Sequence, residues 1–307
     1  MQAPHIVVVG SINMDLVARM TRLPRLGETL HGEDFQTIPG GKGANQAVAA
    51  ARLGARVTMI GRVGDDSFGE ILRQSLSGFG VNVEHVLTTP RCSSGVALIS
   101  VETTGANSIV VIAGANGHLS PADIRERSDV ISSADALVVQ LETPVETIAA
   151  AIRIARQCGI RTLLDPAPAP SESLPAELRS VDLISPNQTE AEALTGIVVN
   201  DTASAQAAAR WLQQQGAREV VIKLGDQGAL ICDTAGTFAH IPARSAEIVD
   251  TTAAGDAFTG GLAVALSEGQ SLNDATQFGC AAGTLACTVF GAQPAMPTRA
   301  AVEQFLR

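Results

Sequence analysis

Asp250-Thr-Thr-Ala-Ala-Gly-Asp-Ala-Phe-Thr-Gly-Gly261 sets a threonine pair, a small-residue turn and an aspartate in a row. The stretch 245–249 before it reads as extended and 257–266 after it as an apolar helix, so a strand is expected to feed a helix here. The first N–H groups of such a helix are uncovered by side chains. Together with the helix dipole they favour an anion. Asp256, one turn in, would stand beside any phosphate held there, so the segment offers an anion cradle and a candidate base.

Four further polar constellations share this character. In Gly10-Ser-Ile-Asn-Met-Asp15, an extended backbone puts Asn13 and Asp15 on one face and Met14 on the other. A carboxylate beside an amide can clamp vicinal hydroxyls, although the same pair can simply shape a turn. The glycine-rich approach to a helix at Pro39-Gly-Gly-Lys-Gly-Ala-Asn45 matches neither the Walker A spacing nor G-x-G-x-x-G. What remains is Lys42 and Asn45 on the face of a first helical turn, with glycines that let a ligand approach backbone. In Ser185-Pro-Asn-Gln-Thr-Glu190, Ser185 reads as the N-cap, with Pro186 in the first turn and Gln188 closing a capping box. Asn187 and Glu190 would then share a face, either as plain surface residues or as oxygen ligands for a magnesium–phosphate complex. Lys223-Leu-Gly-Asp-Gln-Gly-Ala229 joins two apolar strands, and its glycines Gly225 and Gly228 suit a flat shelf or a tight connection. Glu142 follows an apolar strand at the end where open α/β sheets bind ligands.

The elements that must position these groups alternate. Strands are expected over 6–11, 57–60, 136–140, 161–165, 183–185, 219–224 and 229–232. Helices are expected over 45–53, 67–78, 121–132, 145–158, 189–194, 203–215, 255–267, 272–289 and 299–306. The alternation predicts an α/β fold, a three-layer αβα arrangement around a mostly parallel, Rossmann-like sheet. Two stretches break the rhythm: 15–36, and a hairpin of 95–101 and 108–113 turning at Thr104-Gly105-Ala106-Asn107. Both read as a small subsidiary sheet, giving one domain over 1–307 with a lid of roughly 13–40 and 95–113.

Composition excludes several classes. A net charge of −10 over 307 residues argues against a nucleic-acid surface. No apolar stretch is long enough to span a bilayer and the N-terminus lacks a signal-peptide pattern, so no membrane partner and a cytoplasmic location are expected. The five cysteines are scattered without a Cys-x-x-Cys pair, which disfavours zinc or a disulfide framework. No Gly-x-Ser-x-Gly elbow occurs, and the five histidines have no triad or metal spacing.

Taken together these motifs resemble the ribokinase-like (PfkB) carbohydrate kinase family. The likeness is nearly end to end. It runs through Gly10–Asp15, Gly40-Gly-Lys-Gly-Ala-Asn-Gln-Ala-Val-Ala-Ala-Ala51, Gly64-Asp-Asp66, Gly114-Ala-Asn116, Asp165-Pro-Ala-Pro168, Asn187-x-x-Glu190, Asp250–Phe258 and Gly291-Ala-Gln-Pro294. The Gly-Gly-Lys-Gly-Ala-Asn run points to the branch acting on ribose and deoxyribose.

The resemblance implies transfer of the ATP γ-phosphoryl group to the 5-hydroxyl of D-ribose. Asp256 would be the base, and the N–H groups of Ala253, Ala254 and Gly255 the anion hole. Asn13, Asp15, Gly41, Lys42, Gly43, Asn45 and Glu142 would hold the sugar. Asn187, Lys223, Gly225, Asp226, Gln227, Gly228, Gly255 and Cys280 would line the ATP site, with Glu190 tuning Mg2+. A monovalent cation, usually K+, would use the Asp250 carboxylate and the carbonyls of Thr252, Ala286, Val289 and Gly291. At Ala295 the family often supplies a serine. At Ala253 much of the family has glycine, and a helical φ is expected there, which alanine accepts. The lid would also form a homodimer contact. The alternatives are a deoxyribokinase or another sugar kinase of the family, more remotely a non-catalytic sugar- or nucleotide-binding regulator. A nicotinamide-dependent oxidoreductase on the same sheet type would need the G-x-G-x-x-G run that is absent.

Overall fold

A computed structural model of the chain describes residues 3–104, 106–170 and 173–307; Gly105, at the expected hairpin turn, lies outside them. The strands are β1 (His5–Val9), β2 (Asn13–Met20), β3 (Asp34–Gly40), β4 (Arg56–Gly64), β5 (Val86–Thr89), β6 (Gly95–Glu102), β7 (Asn107–Ile112), β8 (Ala136–Val139), β9 (Arg161–Leu164), β10 (Leu183–Ile184), β11 (Glu219–Lys223), β12 (Ala229–Cys232) and β13 (Phe238–Ile241). The helices are α1 (Lys42–Arg52), α2 (Ser67–Gly78), α3 (Pro121–Arg125), α4 (Ser128–Ser132), α5 (Val145–Gln157), α6 (Ala176–Arg179), α7 (Gln188–Thr195), α8 (Thr202–Gln214), α9 (Ala254–Ser267), α10 (Leu272–Ala286) and α11 (Arg299–Leu306).

Among the described residues, nine strands form the main sheet in the order β13-β12-β11-β10-β9-β8-β1-β4-β5. Pairing is parallel from β5 through to β11, and β12 and β13 close that edge antiparallel. Strand β1 shows why the sheet is buried on both faces. Ile6 and Val8 enter the core shared with α1, α2, α9, α10 and α11, while Val7 and Val9 enter the core under α3 to α8. The sequence order turns back between β1 and β8, and their C-terminal ends flank the crevice where such sheets place ligands.

A second sheet, β3-β2-β6-β7, stands beside this rim. It grows directly out of the site, because β2 begins at Asn13, paired with Gly40 of β3 and Gly95 of β6. Its outer strand β7 is exposed from Asn107 to Ile112.

Several expectations change. The 121–132 helix divides into α3 and α4, and β5 and β13 were not foreseen, being short strands at the two sheet edges. The run 245–249 is not a strand: it lies beyond the edge strand β13, finds no strand partner, and leaves Ile248 and Val249 exposed. Among the described residues no helix is long and apolar enough to cross a membrane.

Candidate active site

Helix α9 carries the central feature. Its N-terminus has no side-chain cap, and among the described residues the N–H groups of Ala253, Gly255 and Asp256 have no protein acceptor. Ala254 N–H donates to Thr251 O at 3.3 Å, so of the three expected anion-hole amides this one already has a partner. The helix sits deep because glycines let α10 approach it: a Cβ on Gly279 would lie 3.0 Å from Phe258 O, and one on Gly283 3.0 Å from Ala254 O. Ala253 departs from expectation. Its φ is 58° and ψ 13°, in the left-handed region rather than the helical one. A residue with a Cβ in that region costs about 1–2 kcal/mol.

Asp256 is buried, and both its oxygens are held from α1. Asn45 Nδ2 donates to Oδ2 at 2.9 Å and Gln46 Nε2 to Oδ1 at 3.0 Å. Burial pushes its carboxyl up to about 6, with the nearby Lys42 ammonium pulling the other way and Asp165 adding to the rise. A carboxylate poised there suits proton abstraction near neutral pH. Lys42 opens α1. Burial disfavours its charge, but Asp256, Asp165, Glu142 and Glu190 outweigh that, so its ammonium is held above the ordinary lysine range.

The glycines ahead of α1 serve packing as well as ligand access. Gly41 has φ 88°, and a Cβ on Gly43 would lie 2.7 Å from Ser11 N. This close approach lets Glu142, just past β8, accept from Ser11 Oγ at 2.5 Å and Lys42 N at 3.2 Å. Asn13 and Asp15 share a face as expected, and Met14 is buried in the core behind them. Burial raises Asp15 to about 7, reinforced by repulsion from Glu142 and Asp256 and moderated by Lys42.

Across the rim, the cap of α7 lies two residues further on than Ser185. Asn187 is the N-cap and Glu190 closes the capping box: Asn187 Oδ1 accepts from Glu190 N at 2.8 Å, and Glu190 Oε2 from Asn187 N at 2.8 Å. Pro186 remains extended because its carbonyl accepts Lys223 N–H at 2.8 Å, aligning the segment with the end of β11. Glu190 is buried rather than at the surface, and burial raises its carboxyl against the pull of Lys223.

These side chains surround connected space. A cavity of about 450 Å³ is bounded by Lys42, Asn187, Glu190, Lys223, Gly255 and Asp256. Beside it, about 470 Å³ of mostly apolar space is lined by Gly225, Asp226, Gly228, Ile248, Phe258, Cys280 and Gly283. Gln227 does not line it; its carbonyl meets His240 Nε2 at 2.8 Å and its side chain is exposed. Under the second sheet, about 400 Å³ opens among Asp15, Ile38, Asp250, Thr252 and Gly291. A larger groove of about 660 Å³ lies at the opposite rim among Arg156, Asp182, Arg218 and Glu219, away from all these groups.

A model of the pfkB family of carbohydrate kinases matches residues 3–299. The chain belongs to the pfkB family. It is 42% identical over 302 residues to the ribokinase of Haemophilus influenzae, covering 98% of each chain. It is 38% identical over 300 residues to the deoxyribokinase of Salmonella typhi, covering 98% of this chain and 97% of that one. Its fold superposes on Arabidopsis thaliana ribokinase complexed with ribose and ATP with a TM-score of 0.94 at 32% identity, covering 100% of this chain and 99% of that one.

Two cation sites can be judged on this pfkB chain's own atoms. Both Glu190 oxygens already accept hydrogen bonds from Asn187, so the pair suits a hydrated Mg2+ bound to phosphate rather than a bare ion. Asp250 accepts from Thr252 N at 3.0 Å, Thr252 Oγ1 at 2.7 Å and Gly291 N at 3.0 Å, tying the two expected cation loops together. Among the described residues the carbonyls of Thr252, Val289 and Gly291 accept no hydrogen bond, and such free oxygens fit an alkali cation. Ala286 O receives Val289 N–H at 3.4 Å, and Ala295 is buried without a side-chain oxygen to offer.

Sequence reasoning missed four polar residues beneath the site. Asn116 donates from Nδ2 to Asn13 Oδ1, and Gln46, Gln140 and Asp165 are linked under Asp256. Asn116, Gln46 and Asp165 stand inside the recognised motifs, yet no spacing rule assigns them partners about a hundred residues away.

Proposed function

We propose that this kinase transfers the γ-phosphoryl group of ATP to the 5-hydroxyl of D-ribose, giving ribose 5-phosphate and ADP. The observation that carries the reading is the position of Asp256: one turn inside an uncapped helix N-terminus, held by Asn45, in the wall of the Lys223 cavity and near enough to Asp15 to repel its charge. Kinship with ribokinases at about two-fifths identity supports the sugar.

Asn13, Asp15 and Glu142, with the α1 start from Gly41 through Asn45, hold the pentose. Asp256 takes the hydroxyl proton as the oxygen attacks the γ-phosphorus and the bond to the β-phosphate oxygen breaks. The uncovered N–H groups at Ala253 and Gly255, with that of Ala254 once it leaves Thr251, meet charge spreading over the transferring group. Lys42 and Lys223 add positive charge on either side. The adenine would lie in the apolar cavity by Gly225, Gly228 and Cys280. Asn187 and Glu190 would hold Mg2+, which would supply positive charge to the phosphates, and Asp250 with the carbonyls of Thr252, Val289 and Gly291 would hold K+ behind the anion-hole turn.

In this reading residues 1–307 are one kinase domain, and the second sheet is its lid. The exposed apolar strand β7 is then a homodimer contact. Five free cysteines fit a reducing cytoplasm.

The kinship with a deoxyribokinase at 38% identity favours a second reading, 2-deoxyribose as substrate. Coupled ADP-release assays with ribose and 2-deoxyribose, with and without potassium, test both. A higher kcat/KM for 2-deoxyribose rejects ribose as the preferred substrate, and no turnover of either pentose rejects the function.

A further inference from the structure

Beneath Asp256 runs a chain of buried polar groups, in which Asp165 also reaches the wall of the phosphate-side cavity while Gln46 and Gln140 do not. Lys223 Nζ donates to Asp165 Oδ1 at 2.7 Å. Asp165 Oδ2 accepts from Gln46 Nε2 at 2.8 Å, and the same nitrogen reaches Asp256 Oδ1 at 3.0 Å. Gln46 Oε1 is itself fixed by Gln140 Nε2 at 2.6 Å. Space for this arrangement is reserved, since a Cβ on Gly10 would lie 2.0 Å from Gln140 Oε1. Gln46, Gln140 and Asp165 are all at most 1% exposed. Asp165 and Asp256 are therefore two buried carboxylates bridged by the two N–H bonds of one amide.

The far end of the chain is open to ligand. Lys223 lines both the phosphate-side cavity and the apolar one, and a Cβ on Gly255 would lie 3.7 Å from its Nζ. Its ammonium thus stands beside the uncapped end of α9 while neutralising Asp165.

We propose that Gln46 is a positioning residue which, through Asp165 and Lys223, makes occupation of the nucleotide-phosphate cavity felt at the Asp256 carboxylate. This rests on the reading of Asp256 as base. A phosphate at the α9 N-terminus competes with Asp165 for Lys223. As the ammonium turns to the phosphate, Asp165 loses its counter-charge and repels negative charge on Asp256 more strongly across Gln46. Asp256 then holds a proton more tightly when ATP is present, and becomes the stronger base when it is needed. Gln46 meanwhile separates the carboxylates, which would otherwise share a proton. The charged groups facing Asp256 are Lys42 from α1, Asp165 beyond β9 and Asp15 from β2, while Glu142 and Glu190 act on it through Lys42.

The test follows the Asp256 carboxyl by 13C NMR against pH, with and without a non-hydrolysable ATP analogue, in wild type and Asp165→Asn. The analogue should raise the Asp256 midpoint in wild type, and the rise should shrink by half or more in Asp165→Asn. A rise of equal size in both comes straight from the phosphate charge and overturns the relay, as does no rise at all. Gln46→Met should lower kcat by about 10–100-fold, with the pentose KM within about threefold. An unchanged kcat with an unchanged pH profile overturns the positioning role. Should Gln46→Met fail to fold, the isosteric Asp165→Asn still decides. Turnover of ribose by wild type separates the two levels: its absence rejects the proposed function, whereas the NMR readout needs no turnover.

Discussion

Asn116 Nδ2 donates to Asn13 Oδ1 at 2.7 Å, which fixes the orientation of the Asn13 amide two residues before Asp15 and keeps its hydrogens free of that contact. The same side chain closes on the backbone before β2, accepting Ile12 N–H at 2.9 Å and donating to Ile12 O at 3.2 Å. Asn116→Ala leaves buried groups unpaired, each costing about 1–3 kcal/mol. It should lower the chemical-denaturation midpoint and raise the pentose KM about tenfold or more, with a smaller change in kcat. A pentose KM that stays at the wild-type value would remove Asn116 from the clamp.

Asp256→Asn keeps the shape of the site and its contact with Asn45 but cannot take a proton. The expected loss in kcat is about 10²–10⁴-fold, while calorimetric pentose affinity stays within about threefold. Retained turnover would reject Asp256 as base.

The stability of the ligand-free protein should fall as pH rises from about 4 to above 7. Burial lifts Asp15 to about 7 and Asp256 to about 6, whereas unfolded carboxyls titrate near ~4. Between those values the native state binds more protons than the unfolded one, so the slope of stability with pH is negative there. Asp15→Asn removes one of these charges and should raise the melting temperature at pH 8 while weakening pentose binding. A flat melting temperature between pH 5 and 8 in wild type would contradict the assigned burial costs.

Ala253→Gly relieves a left-handed φ of 58°. The relief of about 1–2 kcal/mol is partly offset by the greater freedom of glycine in the unfolded chain. A net gain of about 0.5–1 kcal/mol is expected in denaturant titrations, with kcat within about twofold. Destabilisation would mean that the Ala253 methyl packs usefully.

Replacing potassium with tetramethylammonium should lower kcat, because the Thr252, Val289 and Gly291 carbonyls offer nothing to a cation without a coordination shell. Ala295→Ser should lower the potassium concentration giving half-maximal activity. An enzyme indifferent to the swap has no working site at Asp250.

Much of this protein was legible from residue order, because its signals are local. Alternating β-branched and alanine-rich runs specify a sheet covered on both faces, since a strand such as β1 with four consecutive apolar residues must bury both of its sides. Asn13 and Asp15 share a face because backbone pleating has a period of two, and the small residues at 253–255 announce an uncapped helix start. Tertiary structure decided what depends on distant partners. The N-cap of α7 moved to Asn187 because Pro186 is held extended by Lys223 of β11, a contact that no local capping rule contains. The run 245–249 could have been a strand by propensity, but its end is tied elsewhere: Val249 N–H donates to Cys287 O at 2.8 Å, just past α10, rather than to the edge strand β13. Ala253 takes a left-handed φ of 58° where the chain passes from the Asp250 turn into α9, against the preference of an alanine, and no local signal announces it. The environment of Asp256 is the clearest case: Asn45 and Gln46 come from α1 and Asp165 from the end of β9. A sequence names the carboxylate, but burial and long-range hydrogen bonds set how tightly it holds a proton, and only the folded chain brings those together.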